Sequence, residues 1–115
     1  MLKRILQHVF DNVNGINMIA LFDRDGFVIE KIDYENIAEE ISAEFSSMLR
    51  YFSKISSVFA VTEMQYFMFE GDKKKFFIKK LNHDYYIVVS MSNTSITGKL
   101  KFALDMVYDD LLKEL

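Results

Sequence analysis

The sequence predicts an α+β fold in the order α-β-β-α-β-β-β-α. Its five-stranded antiparallel sheet carries the long helix on one face and the two terminal helices on the other. Three observations predict it. The runs Ile16 to Phe22 and Tyr85 to Met91 are nearly all apolar, as strands covered on both faces must be. Short turn signals at Asp23-Arg24-Asp25-Gly26, Glu70-Gly71-Asp72-Lys73 and Asn82-His83-Asp84 join neighbouring strands as hairpins, which makes the sheet antiparallel. Three further segments repeat apolar residues at helical spacing.

The opening helix carries Leu2, Ile5, Leu6, Val9 and Val13 on one face and ends at Asn14-Gly15, where glycine supplies a left-handed cap. Ile16 to Phe22 is a strand, Asp-Gly makes the turn, and Phe27 to Ile32 returns. Asp33 to Ser57 reads as the longest helix, with Ile37, Ile41, Phe45, Met48, Phe52 and Ile55 as its apolar stripe. A second stripe, Ala38, Ser42, Ser46, Leu49 and Ser53, is narrow and small, a surface that another helix backbone can approach closely. Glu40, Glu44, Ser47 and Lys54 form the polar side.

Val61 to Glu70 reads as the third strand because aromatic residues dominate it and it lacks Gly and Pro. From Met64 it stops alternating: Tyr66, Phe67, Met68 and Phe69 are consecutive, so both faces call for dry surroundings. Lys73 to Leu81 follows, with Phe76 and Ile78 on one face and Phe77 and Leu81 on the other. Tyr85 to Met91, the most apolar strand, belongs in the middle beside Ile16 to Phe22, which leaves Val61 to Glu70 at an outer edge. Ser92-Asn93-Thr94-Ser95 offers N-caps for a closing helix bearing Ile96, Leu100, Ala103, Leu104, Val107, Leu111 and Leu112. Gly98 in its first turn suggests a close backbone approach.

Length and composition bound the function. The 115 residues are expected to form one domain spanning 1–115, burying roughly 65% of the unfolded surface. Eleven Phe, six Tyr and seven Met are more apolar surface than a monomer of this size usually hides, which points to an oligomer. A net charge of −3 gives no reason to expect nucleic acid, and the absence of cysteine rules out disulfides and thiolate chemistry. No apolar run reaches the ~18 residues of a membrane span, and Ile5 to Phe10 is too short for a signal segment, so a cytoplasmic protein is expected.

No motif for catalysis or a cofactor is present: there is no phosphate-binding Gly loop, metal-ligand spacing or nucleophile motif. Asp23, Asp25 and Gly26 begin like a calcium loop, but the remaining ligands are missing and a plain hairpin turn accounts for them. His8 and His83 have no neighbouring partner for acid–base work. Lys73, Lys74, Lys75, Lys79 and Lys80 read as solubilising gatekeepers around Phe76 and Phe77. Glu35, Glu39, Glu40 and Glu44 suit the start of a helix and could also meet a basic partner. Arg24 lies on an exposed turn, with nothing around it to support an arginine finger.

The pattern resembles the Roadblock / dynein light chain family, whose fold is profilin-like. The likeness rests on Val13-Asn14-Gly15-Ile16 through Asp25-Gly26, on Phe45-Ser46-Ser47-Met48-Leu49, and on Tyr85 to Val89 followed by Ser92 to Leu100 with its Gly98. It implies a dimer in which two edge strands pair and two long helices pack side by side. The residues placed there are Ala38, Ser42, Phe45, Ser46 and Leu49 on the helix and Met64, Tyr66, Phe67, Met68 and Phe69 on the strand. It further implies a scaffold or regulator of a Ras-like small GTPase. Bacterial members similar to MglB act on the GTPase MglA by reshaping its switch rather than by donating a catalytic side chain. Glu40, Glu44, Ser47 and Tyr51 on the long helix are the expected partner surface. Two other readings compete. A ligand sensor requires a cavity near the long helix, against which the continuous large side chains argue. A purely structural subunit would dimerise and ignore any GTPase.

Overall fold

In a computed structural model, which describes residues 1–56, 58–60 and 63–115, β1 (Ile16–Asp23) and β5 (Tyr85–Ser92) form the centre of a five-stranded antiparallel sheet. β2 (Val28–Asp33) flanks β1, and β4 (Lys74–Lys80) flanks β5, with β3 (Tyr66–Glu70) outermost. The order is β2-β1-β5-β4-β3, the arrangement expected from strand hydrophobicity. Successive residues of the central strands point to opposite faces. Ile19 and Leu21 of β1 join Ile87 and Val89 of β5 beneath α1 (Leu2–Asn12) and α3 (Thr97–Lys113). Met18, Ala20, Phe22 and Val88 pack on the other face beneath α2 (Ala38–Ile55).

The expected helix from Asp33 begins five residues later, at Ala38. The Asp33 side chain is the cause. Its Oδ2 accepts the N–H groups of Ile37 at 2.8 Å and Ala38 at 2.7 Å, and its Oδ1 that of Glu35 at 3.1 Å. A carboxylate that binds several following amides favours a turn over helix continuation, and it sits well at the positive end of the helix dipole. Ser57, the expected last residue of this helix, lies outside the described residues.

The small stripe of α2 has a different neighbour from the one anticipated. Ala38, Ser42 and Ser46 are fully buried against the chain's own sheet and the β1–β2 turn, not presented to a second helix. Gly26 explains their size. A Cβ there would lie 2.9 Å from the Ala43 Cα and 3.2 Å from the Ser46 Cβ, and the glycine holds φ at +91°. The helix backbone thus rests on the hairpin tip, and Ser46 Oγ fastens it by donating to the Arg24 carbonyl at 2.6 Å.

Two smaller expectations also change. Gly98 makes no close approach, since nothing lies within 4 Å of a Cβ added there. Ser92, Asn93, Thr94 and Ser95 do not cap α3, whose N-cap is Ile96 without a side-chain bond. They shape the preceding turn instead, with Ser92 Oγ accepting from the Thr94 amide at 3.2 Å. At the far edge of the sheet, β2 is irregular and charged. Its register shifts between Leu21 and Phe22, and Lys31 Nζ binds both carboxylate oxygens of Glu39, at 2.7 and 2.8 Å.

The two glycines predict opposite responses to alanine. Gly26→Ala introduces both a strained φ and a backbone clash and should cost about 2 kcal/mol or more. Gly98→Ala should be neutral or stabilise by about 0.5 kcal/mol. Urea unfolding of the two variants beside the parent checks both.

Candidate functional site

Two surfaces stand out, an open strand edge and a helix ridge. β3 pairs with β4 from Tyr66 opposite Lys79 to Glu70 opposite Lys75, and among the described residues no strand lies on its other side. The strand is shorter than the expected Val61 to Glu70. β4 ends at Lys80, whose amide makes the last ladder bond to the Gln65 carbonyl at 3.1 Å, so Glu63 and Met64 have no residue of β4 to pair with. Met64 consequently lies outside the strand, and Val61 and Thr62 lie outside the described residues.

The β3 side chains are only partly covered. Tyr66 stacks on Phe77 with ring centres 5.3 Å apart, and the Lys101 ammonium lies 4.0 Å above the Tyr66 ring. Phe67 meets Phe52 edge-on at 5.3 Å. Met68 and Phe69 nevertheless remain 41% and 60% exposed beside unpaired backbone groups. Above this edge, the half-buried Ile41, Phe45 and Met48 of α2 continue the apolar surface. Leu49 is half-buried and faces inward, lining a cavity.

The ridge is Glu40, Glu44, Ser47 and Tyr51. Steps of four, three and four residues hold them on one line along α2, and all are exposed, Tyr51 at 64%. The glutamates expected around the helix start separate into two groups. Glu39 is engaged by Lys31. Glu35 lies in the loop before α2 and turns inward, where it accepts from Ser90 Oγ at 2.6 Å and from Lys74 Nζ. Glu40 and Glu44 have no ion-pair partner among the described residues.

Burial pushes the Glu35 carboxyl up, but the bonds from Lys74 and Ser90 and the Lys74 charge together outweigh it and hold the group below its ordinary value. Three other lysines of the basic cluster are likewise occupied. Lys75 is buried and donates to the Ser95 carbonyl at 2.7 Å, Lys79 lies 3.9 Å from Asp105, and Lys80 pairs with Glu63 at 3.0 Å. Lys80 lowers the pKa of Glu63 through that bond. Asp23 serves the turn, its Oδ1 accepting from the amides of Asp25 at 2.9 Å and Phe27 at 3.0 Å. Arg24 faces Asp84 at 3.7 Å.

One feature the large side chains argued against is present. A cavity of about 330 Å³ lies between the C-terminal half of α2 and the sheet, walled by Leu49, Phe52, Phe67 and Tyr86. These side chains line the space rather than fill it, which no linear pattern reveals.

The family model for the Roadblock/LC7 domain matches residues 3–91. This chain belongs to the Roadblock/LC7 family. A Roadblock/LC7 domain from Streptomyces avermitilis superposes with a TM-score of 0.88 at 13% identity, covering 97% of this chain and 95% of that one. MglB from Myxococcus xanthus gives 0.87 at 16% identity, covering 97% and 92%. The gliding protein MglB from Thermus thermophilus gives 0.84 at 13% identity, covering 96% and 84%. No curated protein sequence matches significantly. At such identities the neighbours establish the fold, and among the described residues no helix is long and apolar enough to cross a membrane.

Because the folded pKa of Glu35 is lowered, its contribution to stability is complete above the ordinary value of 4.5 and is lost as pH falls below that. Glu35→Gln should therefore destabilise the protein at pH 7. The gap from the parent should narrow on acidification below pH 4.5, as followed by thermal melts across a pH series.

Proposed function

We propose that this Roadblock domain is a dimeric regulator or scaffold that pairs with a second copy across β3 and offers the α2 ridge to a Ras-like small GTPase. The observation that carries the reading is the open edge of β3, whose Met68 and Phe69 stay exposed in the isolated chain. A flat apolar edge with free amides and carbonyls is a template for another strand. Pairing there brings Tyr66, Phe67, Met68 and Phe69 of two copies together. It also sets two α2 helices side by side through the half-buried Ile41, Phe45 and Met48. This replaces the buried Ala38, Ser42 and Ser46 as the helical part of the contact.

The ridge then lies on the outer face, clear of the strand contact. Glu40 and Glu44 supply uncompensated negative charge that steers a basic surface into place, and Tyr51 supplies an amphipathic anchor. Likeness to MglB supports a GTPase partner of the MglA type and a protein that biases its partner's conformation. In this reading the catalytic groups for GTP hydrolysis belong to the GTPase, and this chain acts on their arrangement.

Two outcomes are expected. Met68→Lys and Phe67→Asp should turn a dimer into a folded monomer in sedimentation velocity, with unchanged circular dichroism. Glu40→Lys with Glu44→Lys should keep the dimer and slow association with the GTP-loaded GTPase by about tenfold at low salt, an effect that shrinks as salt is raised. A parent chain that is monomeric at tens of micromolar, or that captures GTP- and GDP-loaded GTPase equally, would overturn the reading.

A further inference from the structure

The cavity under α2 adjoins a second hollow of about 410 Å³, and Leu49, Ser53, Lys80 and Tyr86 line both. Their chemistries differ. The first is walled largely by aromatic and aliphatic side chains, Phe52, Phe59, Met64 and Phe67 among them. The second is lined by Arg24, Arg50, Lys80 and His83, with Asp25 as the carboxylate in its lining. In a chain of net charge −3, an apolar slot opening on a basic vestibule is a local inversion of the surface.

The cations differ in how far they are already engaged. Arg24 has Asp84 near it at 3.7 Å. Lys80, with four-fifths of its side chain covered, already holds the Glu63 carboxylate at 3.0 Å. Arg50 has no carboxylate partner among the described residues. Its Nη1 and Nη2 donate to Ser46 Oγ at 2.9 Å and Ser47 Oγ at 3.2 Å, which leaves guanidinium N–H groups free.

We propose that the joined hollows bind a single-chain amphipathic carboxylate, with its apolar body in the slot under α2 and its carboxylate against Arg50. The guanidinium fork matches the planar geometry of a carboxylate, and a lone unpaired fork suits a head of one charge. A slot of about 330 Å³ is at the small end of the ~300–1,000 Å³ range of ligand sites, which suits one chain or one ring. The site adjoins the α2 ridge through the Arg50–Ser47 bond and shares Phe67 with the proposed strand contact, but titration of the chain alone tests it without any GTPase.

The test is calorimetric titration of the full chain with sodium decanoate and decylammonium, kept below their micelle concentrations, and with decanol, kept below its solubility. Decanoate should bind saturably at one per chain, decanol about tenfold or more weaker, and decylammonium not at all. Arg50→Gln, a change on the exposed side of α2, should weaken decanoate about tenfold while leaving decanol binding and circular dichroism unchanged. Chemical shifts of the Met64 methyl and the Phe52 and Phe67 rings should move on titration. Equal affinity for decanoate and decanol, an unchanged decanoate affinity in Arg50→Gln, or no binding at millimolar decanoate would each overturn the proposal. So would decanoate dissociating a dimer, because the slot would then be the place of the second copy.

Discussion

The contact between Gly26 and the backbone of α2 fixes the helix against the sheet, and the rest of the surface follows from it. Glycine at the hairpin tip and Ala or Ser at 38, 42, 43 and 46 let two backbones come within van der Waals distance. Once that side of the helix is held down, helical geometry decides the rest. Phe45 and Phe52 swing toward β4 and β3, where they meet Phe76 and Phe67 edge-on. Glu40, Glu44, Ser47 and Tyr51 are carried to the opposite side and cannot be anywhere but outside. A larger residue at Gly26 would lift the helix and spoil all three placements together.

The loop before α2 secures the other end of the same helix. Asp33 gathers three amides, and Glu35 reaches down to Ser90 in the middle of the central strand β5. Lys74 then neutralises Glu35. A charged group this close to the core is tolerable because each carboxylate oxygen has a donor. The arrangement also withdraws Glu35 from the acidic surface, leaving the negative charge concentrated on the exposed line of the helix.

Much of this was legible in the sequence, and the failures share a cause. Strand order came from hydrophobicity, because a strand buried on both faces cannot hide its composition. The faces of β4 came from simple alternation. What did not come through was the identity of the partner each side chain meets. A stripe of small residues signals a close approach without saying whether a helix or a hairpin approaches, and here the hairpin is nearly twenty residues upstream. The start of α2 was misplaced because Asp33 reads equally well as a helical residue and as a turn-former. The cavity beneath α2 was invisible because a list of large side chains gives their volume but not the gaps between them. The exposed ridge, by contrast, was readable from spacing alone.

The unequal edges of the sheet have a consequence for assembly. β3 is apolar and open, while β2 carries a register shift and the Lys31–Glu39 pair. Charge and irregularity at an edge discourage a further strand. In the proposed pairing of β3 with β3 about a twofold axis, both outer borders of the enlarged sheet would be β2 strands. In that proposed assembly growth would terminate after a single addition, and a sequence as rich in Phe and Met as this one would be kept from polymerising into a fibre by the chemistry of the border it does not use.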